Sequence, residues 1–114
     1  MKNNIIVEKS KHFALRIIKL YKYLFDKKEY ILSKQLLRSG TSIGANVKEA
    51  IRGQSKADFY SKMNIALKET SETEYWLELL NESGFIETSH FQSIYCDCQE
   101  LLKILMAITK TQNS

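Results

Sequence analysis

Residues 36–50, LLRSGTSIGANVKEA, gather small and hydroxyl-bearing side chains around two glycines. Such a run cradles a phosphate when its glycines lead into a Gly-Lys-Ser/Thr step between a strand and a helix, because free backbone amides then surround the anion. Here no lysine stands at that step and no strand-like run precedes it. Gly40 and Gly44, four residues apart, fall instead on one side of a helix. There the missing side chains let a neighbouring backbone approach closely, at about 1 kcal/mol each relative to alanine. Close helix packing is the better account.

Other chemistry-bearing residues are sparse. Di-iron chemistry in a helical bundle asks for Glu-x-x-His on two helices plus a glutamate from each of the others. Glu87-Thr88-Ser89-His90 is the single match, and it falls at an expected connection, so it reads as incidental. No metal and no other cofactor is expected. His12 has no partner nearby in sequence, and a solvated side chain is its default. Nucleophilic catalysis needs a serine or cysteine beside a histidine and an orienting acid. No nucleophile elbow is present, and neither Cys96 nor Cys98 has a helix-start position that would activate its thiol. Their spacing suits neither a structural disulfide nor a zinc pair, so both read as reduced thiols, Cys98 on a core arc and Cys96 pointing elsewhere. The chain reads as a non-enzyme.

The elements that carry these residues are helices. Proline is absent, glycine occurs four times, and 44% of the 114 residues are hydrophobic, which suits one all-α domain with a modest core. Apolar residues recur at helical spacing over about residues 8–27, 30–53, 56–82 and 89–110, and short connections between them imply an antiparallel up-down-up-down four-helix bundle. The inward arc of the first helix is expected to hold Phe13, Ile17, Leu20, Tyr21, Leu24 and Phe25. Ser55, with Asp58 three residues on, offers an N-cap for the third helix, Thr88 or Ser89 offers one for the fourth, and Thr111 to Ser114 are expected to fray. No long apolar run or secretory signal is present, so a cytoplasmic protein without membrane contact is expected.

Three helix faces remain once the core is assigned. Lys9, Lys11, Arg16, Lys19, Lys22 and Lys27 make the outer side of the first helix basic, and residues 8–28 carry seven cations against two acids. Such a face is either simply solvated or a phosphate-contacting surface for RNA or DNA, with Leu15 and Tyr23 among its cations. On the second helix Gln35, Arg38, Ser42, Asn46 and Glu49 form a wholly polar stripe. On the third, Ile65, Glu69, Glu72, Trp76 and Leu79 mix large apolar residues with acids. That stripe either covers the core edge or, as its composition favours, meets another subunit, and Arg38 and Asn46 are candidate partners for its acids.

The run Gln35 to Ala50, with Arg38, Ser42, Ile43, Asn46 and Glu49, then Phe59, Ile65-Ala66-Leu67-Lys68-Glu69 and Glu72-Thr73-x-x-Trp76-Leu77, resembles the four-helix-bundle family known as the 23S rRNA intervening-sequence proteins. The resemblance spans nearly the whole chain and extends to the accessory variability determinant of diversity-generating retroelements. It implies a small bacterial protein that assembles as a homopentamer and binds nucleic acid through basic surface. It brings no known catalytic role for the motif residues. The alternative is a scaffold that recruits a protein partner, such as a reverse transcriptase, through the same surface.

Overall fold

The helical periodicity becomes four helices in the computed structural model, which describes the backbone of residues 2–113 and the side chains of residues 5–112. They are α1 (Lys2–Asp26), α2 (Leu32–Ile51), α3 (Lys56–Glu82) and α4 (Thr88–Lys110), followed by a single 3-10 turn, Thr111–Asn113. Each helix packs on the next and α4 returns to α1, giving the antiparallel four-helix bundle expected. The α1–α4 seam is the thinnest of the four.

Side chains three and four apart put one apolar stripe of each helix on the common axis. Phe13, Ile17 and Leu20 of α1 meet Leu36 and Ile43 of α2, Met63 and Leu77 of α3, and Ile94 and Leu101 of α4, all essentially without solvent exposure. Each such side chain contributes about 1.5–3 kcal/mol by leaving water. The glycine notch on α2 is filled from α1. A Cβ at Gly40 would fall 2.8 Å from Ile17 Cγ1, and one at Gly44 would lie 3.4 Å from the Ser10 carbonyl oxygen. Thus Gly40 admits a side chain and Gly44 admits the neighbouring backbone. Polar groups inside the bundle are satisfied. The Ser39 and Thr73 hydroxyls lie 2.9 Å apart between α2 and α3, and Thr73 also donates to the Glu69 carbonyl.

Several boundaries differ from the sequence expectation. α1 begins at Lys2 rather than near residue 8, because Ile6, seven residues before Phe13, adds a fully buried position to the stripe. α2 begins at Leu32, two residues later than expected. The buried Glu29 carboxylate accepts from the amides of Ile31, Leu32 and Ser33 and so fixes that start. The expected cap of α3 is present, with Asp58 N–H donating to Ser55 Oγ at 3.0 Å. Neither Thr88 nor Ser89 caps α4; Glu87 holds the cap position without a side-chain bond, and its carbonyl accepts from Phe91 N–H at 2.8 Å. The C-terminal turn does not splay away as expected. Thr111 Oγ1 lies 2.7 Å from Tyr60 Oη, and Gln112 Oε1 accepts from Asn64 at 3.2 Å, so it is docked on α3; Ser114 lies outside the described residues. No described helix is long and apolar enough to cross a membrane.

Candidate nucleic-acid interface

The cations expected to contact phosphate divide into two sets. Lys9 Nζ lies 3.1 Å from Glu100 Oε2, and Arg16 Nη1 lies 2.6 Å from Asp97 Oδ2. Arg16 also donates to Ser93 Oγ at 3.1 Å. Both residues therefore brace α1 against α4 across the thin seam, each already paired with an acid of the same chain. Lys11, Lys19 and Lys22 are exposed and make no ion pair among the described residues. Lys27, one residue past α1, stands 5.4 Å from the Tyr23 ring centroid, a cation–π contact.

Sequence reasoning did not place Lys48 and Arg52 with this basic surface. They rim a groove of about 560 Å³ between α1 and α2, opposite Lys11, with Val7, Ala14 and Gly44 below. The signal lay in their i, i+4 spacing at the end of α2. The uncompensated charge thus turns from α1 towards α2, away from α4.

The polar stripe of α2 faces α3 of the same chain. Arg38 Nη1 lies 3.2 Å from Glu69 Oε1, and Arg38 Nη2 also pairs with Glu72. Burial works against the Arg38 charge, but the hydrogen bonds and charges of Glu72 and Glu69 outweigh it and raise its pKa. Trp76 Nε1 donates to Glu72 Oε2 at 2.9 Å, so one carboxylate joins Arg38 and Trp76. Ser42 Oγ donates to the Arg38 carbonyl at 2.6 Å, and Asn46 Nδ2 to the Ser42 carbonyl at 2.9 Å, both within α2. Glu49 pairs with Lys62 of α3 at 3.0 Å, and Gln35 is exposed. The two stripes therefore meet along one intramolecular seam. Ile65 stays 38% exposed, and Trp76 and Leu79 are half-buried.

Two residues assigned to the core by spacing stand at its margin. Phe25 is 48% exposed and Tyr21 half-buried, because Leu24 takes the inward position in the last turn of α1. Phe25 packs edge-on against Tyr30, with ring centroids 5.0 Å apart, and lies 6.1 Å from Tyr21. The cysteines sit as expected, Cys98 buried and Cys96 exposed. Burial pushes the Cys98 thiol pKa well up, and Cys98 Sγ lies 3.6 Å from the Thr70 carbonyl. Among the described residues no group of three His, Cys, Asp or Glu side chains is placed to hold a metal ion. Residues 36–50 lie within α2, so their amides serve the helix rather than a phosphate.

The family model for the 23S rRNA-intervening sequence protein matches residues 2–107. A crystal structure from Bacteroides thetaiotaomicron VPI-5482, described as a protein with unknown function from the S23 ribosomal protein family, is 54% identical, with a TM-score of 0.94 over 96% of this chain and 99% of that one. No curated protein matches the chain.

Proposed function

Because the chain belongs to the 23S rRNA-intervening sequence protein family, we propose that it is a non-catalytic, self-associating protein that binds nucleic acid electrostatically without reading base sequence. One observation carries this reading. Lys11, Lys19 and Lys22 of α1 stand exposed with no acidic partner among the described residues, while α4 neutralises Lys9 and Arg16. Lys48 and Arg52 extend the same basic surface across the α1–α2 groove. Phosphates seated on these cations release condensed counterions, which supplies affinity to any sequence alike. Base-edge specificity needs bidentate side chains held in a groove, and the cations here are mostly lysines on a convex helix.

The homopentamer implied by the resemblance would use what the α2–α3 seam leaves uncovered, chiefly Ile65 and Leu79 beside Trp76. Glu69 and Glu72 contribute less than their position in sequence promised, since Arg38 of the same chain already engages them. A gel-shift titration over a salt series, joined to light scattering, tests both parts. Affinity should fall steeply with salt and the particle should exceed one chain's mass. A monomer that binds no RNA at low salt would contradict the proposal.

A further inference from the structure

Residues 21–32, YKYLFDKKEYIL, interleave four aromatic residues with three lysines where α1 ends. The connection they form is fixed. Lys28 adopts a left-handed φ of +67°, Lys28 N–H donates to the Phe25 carbonyl and Glu29 N–H to the Leu24 carbonyl, each at 2.9 Å. This pair of bonds is the Schellman helix ending, with lysine at the position glycine usually takes. The Glu29 carboxylate then seats α2, with Ser33 N–H donating to it at 2.6 Å. Between these two anchors Tyr30 is held edge-on to Phe25, and the rings remain 44% and 48% exposed. Ile31 beside them is 75% exposed. Together these side chains leave an aromatic and aliphatic patch open to solvent beside the α1–α2 connection.

Its surroundings identify the chemistry of its occupant. Lys22 shares a shallow depression with Tyr21, Phe25 and the exposed Asp26, and Lys27 and Lys28 follow at the end of α1. The three lysines make no ion pair among the described residues and outnumber Asp26, so an anionic partner is favoured. Flat apolar faces bounded by anions are what an unpaired nucleotide presents, and aromatic side chains bind them by stacking. Paired bases keep their faces inside the duplex and cannot do so. We propose that the Phe25–Tyr30 pair is a stacking platform for unpaired bases, with Lys22, Lys27 and Lys28 on the flanking phosphates, so that the protein prefers single-stranded nucleic acid. This rests on the electrostatic reading above and adds the strand state of its ligand.

The test uses the full chain, a short oligouridine RNA and a double-stranded RNA of equal length. Wild-type protein should bind the single strand more tightly. Phe25→Leu and Tyr30→Leu, which keep apolar volume but remove the ring, should each weaken oligouridine binding by about 5- to 150-fold and leave duplex binding unchanged. Phe25→Tyr should bind like wild type. Equal affinity for the two RNAs, or leucine variants that bind oligouridine normally while Lys19→Glu and Lys22→Glu still weaken both, overturns the platform and leaves the electrostatic reading standing. Absence of RNA binding at low salt overturns both. Leucine variants whose mass in light scattering changes and whose duplex binding also falls would mark the patch as a subunit contact, against the platform.

Discussion

Arg16 of α1 and Asp97 of α4 approach to 2.6 Å, 81 residues apart in the chain, and this contact ties a cation of the basic stripe to the opposite helix. Side-chain exposures of 26% and 35% leave the pair partly screened by water. Its net worth is therefore about 1 kcal/mol or less, including the bond to Ser93. R16A should lower stability by that amount in urea melts, less so in high salt. Its effect on RNA affinity should be smaller than that of K19A or K22A, measured in the same buffer.

The two α2 glycines should respond oppositely to alanine. At Gly40 the new Cβ meets Ile17 at 2.8 and 2.9 Å, and Ile17 is fully buried with no room to retreat. Overpacking of about 1–3 kcal/mol outweighs the roughly 1 kcal/mol gained in helix propensity. At Gly44 the nearest atom is 3.4 Å away, close to ordinary contact, so the propensity gain of about 1 kcal/mol survives in large part. Thermal melts should place G40A below wild type and G44A at or above it.

Removing the Glu29 carboxylate should matter more than its place in a charged connection suggests. It accepts from three successive amides at the start of α2, where the helix dipole also favours an anion. E29A should cost about 1–2 kcal/mol in urea unfolding, whereas the neighbouring substitution K27A should be close to neutral.

Much of this architecture was legible in the residues. Periodicity located every helix, Ser55 announced the start of α3, and the four-residue spacing of Gly40 and Gly44 announced a close helix approach. What escaped is tertiary in origin. Phe25 has the spacing of a core residue, yet the bundle ends around it, and periodicity carries no information about where a neighbouring helix stops. Arg16 has the spacing of a free cation, and only the closure of α4 onto α1 supplies Asp97. Glu29 looked like one more loop charge because its acceptors' partners are backbone amides, which sequence does not display.

Alkaline pH should destabilise the bundle. The hydrogen bond to Glu78 pushes the Tyr95 phenol above its ordinary value of 10.0, and burial pushes the Cys98 thiol above 9.0. Both groups thus keep their protons in the folded chain at pH values where the unfolded chain has lost them. Their stabilising contribution is complete below about pH 9 and declines as pH rises further. Urea midpoints measured from neutral to alkaline pH should fall in that range, and Y95F should flatten the decline. In native protein a thiol reagent should modify Cys96 alone, and denaturant should release Cys98.

The most direct measurement is the dependence of RNA affinity on salt for wild type, K19E/K22E and R16E. For wild type, log affinity should fall linearly with log salt. K19E/K22E should show weaker binding and a shallower slope, equally for unrelated sequences. R16E should depart from wild type mainly through lost stability. Binding that ignores salt, or that survives reversal of Lys19 and Lys22 unchanged, would contradict it.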